Sequence, residues 1–396
     1  MRYVYVGTAA SDRDIDEVFA RTARTKIVYV QQKWDHIFYQ AMEACEENAY
    51  CVSYPPVQTF PAGKQLFTRG RKISGVKRGV YIPTLNLPVI KQAGSVLRVF
   101  RELNRVGRGD DLTVITHTLY LQSLLAARLY KRLHPKTRIV SLVPDLPDFT
   151  SDEKLASSRL NRALYRIYKK LSMNVKGKAD GYVCFSKWQM ERLDPSKPFM
   201  VMEGFSVGSP SPAAEAKPEK GGKKIFLYAG NLQGDSGVLA FAKAFAGAAL
   251  PDAELWICGE GEQRAEIEAL GCPAIRLLGV LPKDEVLRLE RQARVLVNPR
   301  PIQEAYARYS FPSKLLEYMS TGTPVLTTHL ACIPAEYDEY LTYMEDDSAE
   351  GMQAALASLR IDPEKGRRAA EFVIREKNPT AQAGRVLDYV KTLGDH

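Results

Sequence analysis

Short apolar runs rich in Val, Ile, Leu and Tyr alternate with stretches in which apolar residues recur every third or fourth position. The alternation runs the length of the 396-residue chain. The runs read as strands and the periodic stretches as amphipathic helices. In the first half the predicted strands are Tyr3–Val6, Ile27–Val30, Ala49–Ser53, Leu112–Thr116, Arg138–Val143 and Gly181–Phe185. In the second half they are Ile225–Tyr228, Glu254–Cys258, Ile275–Leu278, Val295–Asn298 and Pro324–Thr327. Strands that each hand over to a helix imply α/β layers built on parallel sheets. Ser206–Lys224, rich in Pro, Ala, Gly and Ser, can bury little and reads as a linker or exposed loop. Because the chain is too long for one comfortable core, the pattern predicts a domain over 1–205, a linker over 206–224 and a second domain over 225–378. A terminal helix, Thr380–Leu393, follows the break at Asn378-Pro379. No apolar run reaches the roughly 18 residues of a membrane span, and no signal-peptide pattern starts at Met1, so neither spanning nor export is expected.

Charge changes this picture, because it is unevenly spread. Residues 1–205 hold 33 of the 55 Lys and Arg but only 19 of the 46 Asp and Glu, leaving 22 against 27 for the remainder. Lys64–Arg78 is the densest part, with six basic residues and no acid. It reads either as a solvated face or as a loop for anionic lipid headgroups or a phosphorylated acceptor, with Leu66, Phe67 and Ile73 as apolar anchors. No nucleic-acid-binding motif accompanies the charge, so nucleic acid is not an expected partner. The six cysteines show no CxxC spacing and read as free thiols of a reducing compartment.

The candidate chemistry concentrates at strand ends. Strand Ile225–Tyr228 runs into the glycine-rich turn Ala229-Gly230-Asn231-Leu232-Gln233-Gly234, Glu254–Cys258 into Gly259-Glu260-Gly261, and Ile275–Leu278 into Gly279-Val280. Such turns let backbone approach a pyrophosphate, and successive strand ends converge where α/β sheets bind ligands. Tyr309–Val325 (YSFPSKLLEYMSTGTPV) reads as a loop, a helix opening at Phe311-Pro312 and a break at Gly322. Its one carboxylate on an apolar helix, Glu317, suits a ribose hydroxyl pair beside amide-bound phosphate, or simply faces water on a crossover helix. In the first half, His117 ends strand Leu112–Thr116 and reads as structural or catalytic. Asp145 follows Val143-Pro144, to orient His117, accept from a sugar hydroxyl, or cap its turn. Lys33-Trp34-Asp35-His36 could line a groove or pack inward, and Met202-Glu203-Gly204 reads as a ligand contact or a plain turn. Asp12, Asp14 and Asp16 alternate like a metal-binding DxD but lack neighbouring ligands, so helix capping is the reading and no metal is expected. Neither a phosphate-binding P-loop nor a serine nucleophile elbow occurs.

Tyr309-Ser310-Phe311-Pro312-Ser313-Lys314, Glu317-Tyr318-Met319 and Gly322-Thr323-Pro324-Val325 together resemble the nucleotide-sugar motif of retaining GT-B glycosyltransferases of family 4. The resemblance implies two Rossmann-like domains facing across a cleft, the second holding a nucleoside diphosphate sugar and the first an acceptor. It implies that Glu317 holds the ribose and that Gly230, Asn231, Gly259, Val280, Tyr309, Phe311 and Ser313 line the donor site. Many members place Arg and Lys in the first glycine loop, where this chain has Asn231 and Ser236. Arg300, Arg308 and Lys314 are therefore the candidates to neutralise the diphosphate. Tyr309 stands where many members have a glutamate for the donor sugar, which leaves Glu304, an uncommon sugar, or lost donor binding as alternatives. With His117 and Asp145 on the acceptor side and Arg300 and Lys314 on the diphosphate, the implied activity is metal-free, cofactor-free retaining transfer of a hexose. The donor is read as a UDP-sugar and the acceptor as a glycan or lipid-linked glycan. A peripheral site at the cytoplasmic face of a membrane, in polysaccharide or glycolipid assembly, is the implied setting. The rivals are an epimerase or hydrolase of nucleotide sugars, and a catalytically silent scaffold for a partner transferase.

Overall fold

The apolar runs become parallel strands buried along their length, which is what continuous hydrophobicity in a sheet covered on both faces requires. A computed structural model of the chain describes residues 2–22, 29–60, 63–87, 90–149, 159–174, 176–208 and 222–393. Two compact units emerge: Met1–Met202 together with Pro379–His396, and Glu203–Asn378.

The first unit contains β1 (Arg2–Gly7), α1 (Asp12–Thr22), α2 (Val30–Cys45), β2 (Ala49–Ser53), β3 (Phe67–Thr68), β4 (Arg71–Lys72), β5 (Gly79–Tyr81) and β6 (Thr84–Leu85). It continues through α3 (Ile90–Gly107), β7 (Leu112–His117), α4 (Leu121–Leu133), β8 (Arg138–Val143), α5 (Arg159–Asn174), β9 (Gly181–Cys184) and β10 (Phe199–Val201). The main sheet has the order β10-β9-β8-β7-β1-β2-β5-β4 and is parallel except where β4 meets β5. Connections reverse direction between β1 and β7, so the topological switch point lies at the ends of those two strands.

The second unit contains β11 (Lys224–Ala229), α6 (Val238–Ala248), β12 (Ala253–Cys258), α7 (Arg264–Glu268), β13 (Ile275–Gly279), α8 (Lys283–Gln292) and β14 (Val295–Asn298). It ends with α9 (Lys314–Ser320), β15 (Val325–Thr328), β16 (Thr342–Met344), α10 (Ala349–Ser358) and α11 (Pro363–Glu376). Its parallel sheet runs β13-β12-β11-β14-β15-β16, a doubly wound order whose switch point lies between β11 and β14. Phe226, Leu255 and Val297 of the sheet pack with Phe241, Phe245, Met352 and Leu356 of α6 and α10. At the edge of this unit the fully buried Lys377 pairs with Glu203 at 3.1 Å and Glu336 at 2.7 Å, tying the segment after β10 to the end of α11. The terminal helix α12 (Pro379–Thr392) belongs to the first unit and packs its Ala383, Val386, Leu387 and Val390 side inward, with α2 as neighbour.

Several expectations change. Of the expected strand Ile27–Val30, residues 27 and 28 lie outside the described residues and Val30 opens α2 with its side chain exposed. The next strand beside β2 is instead β5, three residues long and hidden at the end of the basic segment. Lys64–Arg78 is not a free loop: β3 pairs with β6 and β4 with β5. Ile73, expected as an exposed anchor, is buried, whereas Leu66 and Phe67 are half exposed. Asp14 of the alternating aspartates is buried, accepting from Ser74 N at 2.9 Å, Ser74 Oγ at 2.8 Å and the Tyr81 hydroxyl at 2.8 Å. Burial pushes its carboxyl up, yet these bonds prevail and hold it below the usual carboxylate range. Helix α9 opens at Lys314, two residues later than expected, with Pro312 in the preceding turn. All six cysteines are free thiols, four of them buried. No described helix is long and apolar enough to cross a membrane.

Candidate functional site

In the second unit the three glycine turns are stitched together at neighbouring strand ends. Gly230 N donates to the Cys258 carbonyl at 2.9 Å, and Gly259 N to that of Gly279 at 2.8 Å. Gly259 has φ +140°, and a Cβ there would stand 1.8 Å from the Gly230 oxygen, so only glycine lets these turns approach so closely. Tyr318 of α9, fully buried, bonds to Ala229 N and O through its hydroxyl, at 2.8 and 3.2 Å, fixing α9 beside the end of β11. Gly230, Gly259, Tyr318 and α9 are thereby one constellation at the switch point.

The loop after β14 completes it. Gly237, at φ +74°, packs on the Pro299 carbonyl, and the Tyr306 hydroxyl donates to the Asp235 carbonyl at 2.8 Å. Arg300 lies over the Tyr306 ring at 4.6 Å while its guanidinium donates to the Ser310 carbonyl at 2.9 Å. Tyr306 thereby holds the Arg300 guanidinium beside the loop that contains Asp235. Arg308 lies over the ring of Tyr309 at 5.2 Å. Asn231 and Ser313 are exposed, and the Asn231 carbonyl accepts from the Tyr228 hydroxyl at 2.7 Å. Val280 projects into solvent at 75% exposure. Phe311, expected against the donor, is instead buried 5.5 Å from the Tyr337 ring, where it seats the motif loop.

Lys314 and Glu317 are paired at 3.0 Å, one turn apart on α9. Beneath them lies Glu290 of α8, which the sequence reading overlooked. It is fully buried, 3.6 Å from Lys314 Nζ, and neither carboxyl oxygen has a hydrogen-bond partner among the described residues. Burial first, and Glu317 in addition, push its carboxyl up to about 7 against the opposing pull of Lys314.

In the first unit His117 ends β7 at the switch point beside Gly7 of β1. Its Nδ1 is 2.6 Å from Asp35 Oδ1. The Tyr5 hydroxyl donates to the same oxygen at 2.9 Å, and Thr8 N and Oγ1 donate to Oδ2 at 2.6 and 2.8 Å. A carboxylate on Nδ1 fixes the proton there and leaves Nε2, buried without a partner among the described residues, as the acceptor nitrogen. The orienting carboxylate is thus Asp35 of α2; Asp145, for which that was one of three roles open, is exposed after β8. Trp34, left open between groove and core, is stacked on Phe38 at 5.2 Å and stands 5.6 Å from the His117 ring. A Cβ on Gly7 would meet Asp35 Oδ2 and the Tyr5 ring at 2.7 Å, so glycine there makes room for the network.

Two doubly wound parallel sheets, each with polar groups gathered at its switch point, define the GT-B class. Residues 223–362 match the family described as glycosyl transferases group 1. The fold is similar to that of sucrose-phosphate synthase from Thermosynechococcus elongatus, at 15% identity and a TM-score of 0.60 over 99% of both chains. The lipopolysaccharide outer core galactosyltransferase WaaB in its apo form is similar to the same degree, again at 15% identity, TM-score 0.60 and 99% of both chains. An α,α-trehalose-phosphate synthase (UDP-forming) from Burkholderia xenovorans, in complex with glucose-6-phosphate, aligns at 11% identity and a TM-score of 0.58, over 99% of this chain and 100% of its own. No curated protein matches the chain in sequence.

Proposed function

We propose that the protein is a retaining glycosyltransferase that moves a hexose from a UDP-sugar to a hydroxyl of a glycan or lipid-linked glycan. The observation that carries this reading is Arg300, braced on Tyr306 beside the first glycine loop, in the same unit as the Lys314–Glu317 pair. Two cations near the glycine turns suit a diphosphate, and Glu317 suits the ribose hydroxyls. The UDP-forming synthase and the galactosyltransferase of the same fold support a UDP-linked hexose.

In this reading the bond from the anomeric carbon to the diphosphate breaks as the acceptor hydroxyl attacks the same face. The departing phosphate oxygen takes the hydroxyl proton, so the enzyme supplies placement and stabilisation of the leaving charge. Arg300 and Lys314 carry that stabilisation. His117, with Nε2 free to accept, positions a sugar hydroxyl. Neither a metal nor a further cofactor takes part. The basic first unit works at the anionic inner face of a membrane.

Thermal stability against UDP, GDP, ADP and dTDP, each at about 1 mM, tests the donor reading. A ligand at 100 times its Kd stabilises by about 2.7 kcal/mol. A shift with UDP alone, lost in Glu317→Ala, is expected. Because Lys314 and Glu317 already neutralise each other, a silent scaffold is the second reading, and it predicts no shift with any of the four.

A further inference from the structure

Beside the His117 network the first unit holds a cavity of about 320 Å³. It opens at the ends of β1, β2 and β7, with Thr8, Tyr54 and Gln122 on its wall. Lys91 is the single charged side chain among the described residues that line it, and no carboxylate joins them. Among the described residues the Lys91 ammonium makes one hydrogen bond, to the Val57 carbonyl at 2.9 Å. An ammonium has three N–H groups to satisfy, and a neutral carbonyl does not balance its charge. Lys91 also stands in the first turn of α3, where the helix dipole disfavours a cation. Burial holds its ammonium down at about 8.

A cavity whose one charged lining side chain among the described residues is a cation bonded only to a neutral carbonyl is short of one anion. We propose that this cavity is the acceptor subsite and that it selects a sugar bearing an anionic group, a phosphate or a carboxylate, which Lys91 binds. The inference rests on the reading of the first unit as the acceptor side. Thr8 connects it to the reacting region, since the residue that lines the cavity also donates twice to the Asp35 that orients His117. The volume of about 320 Å³ suits one hexose-sized unit with its acid group, the accepting residue of a glycan.

The test is calorimetric titration of the full chain with mannose 6-phosphate and glucuronate, each beside its uncharged counterpart, mannose and glucose. At least one acidic sugar binds the wild type, and Lys91→Gln weakens it by about 10- to 100-fold while Lys91→Arg keeps most of the affinity. Which acid binds separates phosphate from carboxylate. The proposal is overturned if neither acidic sugar binds, if the uncharged sugars bind equally well, or if Lys91→Gln leaves affinity unchanged. UDP is titrated into the same samples as a control on the donor reading. UDP binding without acidic-sugar binding sinks the subsite alone, whereas acidic-sugar binding without UDP binding upholds the subsite and sinks the donor reading.

Discussion

Three charged residues share one peculiarity, and it marks the candidate sites. Asp35 heads an apolar stripe with Phe38, Tyr39 and Met42 on α2; Glu290 follows Val286 and Leu289 on α8; Lys91 precedes Ser95, Val99 and Leu103 on α3. A charge at a core position of a helix is costly unless something meets it. Asp35 is met by His117, whereas Glu290 and Lys91 are met incompletely. Glu290 yields a pH prediction. Its carboxyl titrates near 7 when folded and near 4.5 when unfolded, so it favours the folded state below pH 4.5 and loses that contribution as pH rises through 7. The loss is on the order of 3 kcal/mol at most. Lys314, Glu317 and Lys283 are the charged groups around it. Melting temperature is therefore expected to fall between pH 5 and pH 8, and Glu290→Gln to flatten that slope and raise stability at pH 8. An unchanged slope in the variant would mean that Glu290 is not the group titrating. For chemistry, Arg300→Ala is expected to lower kcat by about 100-fold with little change in melting temperature. A wild-type kcat in that variant would remove Arg300 from the leaving-group site.

At the scale of elements, two turns that each hold a positive-φ glycine differ in what they tolerate. Gly259→Ala puts a methyl into the Gly230 carbonyl at a φ that L side chains avoid, so the ends of β11 and β12 must separate. The expected result is loss of UDP-induced stabilisation together with more than about 2 kcal/mol of stability. Gly271→Ala is the control: φ is also positive at +58°, yet nothing lies within 4 Å of the added Cβ. It should cost about 1 kcal/mol and leave the UDP response intact; equal effects of both would refute the close-approach argument. These elements were legible to different degrees. Runs such as Leu112–Thr116 and Glu254–Cys258 were readable because burial on both faces leaves a mostly apolar, β-branched or aromatic string. The three-residue β5 was not, because it sits behind Lys77 and Arg78 and its pairing with β2 is a long-range property. Glycine turns and the position of Glu317 could be read from spacing. The brace of Arg300 on Tyr306 and the Asp35–His117 pair could not, because partners six or 82 residues apart in sequence meet only through the sheet order.

At the scale of the molecule, the basic excess of residues 1–205 needs a physical use or it is only solubility. The segment Lys64–Arg78 separates those readings. Arg71 is already paired with Glu17 at 2.6 Å and Asp14 at 3.4 Å, so it offers little charge to a partner. Arg69, Lys72, Lys77 and Arg78 are exposed, and Leu66 and Phe67, at 49% and 56% exposure, project beside them. Exposed apolar side chains next to cations match a surface of anionic headgroups over acyl chains, whereas a merely solvated face has no use for the apolar pair. Each basic residue near such a surface contributes about 1 kcal/mol, so Arg69→Gln with Lys72→Gln should weaken binding to phosphatidylglycerol vesicles about 30-fold. Phe67→Ser should weaken it further at any salt, since the apolar contribution is not screened. The charge contribution should fade between about 0.1 M and 1 M salt, as the screening length falls from roughly 10 Å to 3 Å. Co-sedimentation with phosphatidylglycerol and with phosphatidylcholine vesicles measures all three. If the wild type binds both lipids alike, or if the double substitution leaves phosphatidylglycerol binding unchanged, the segment is a solvated face and the membrane reading falls with it.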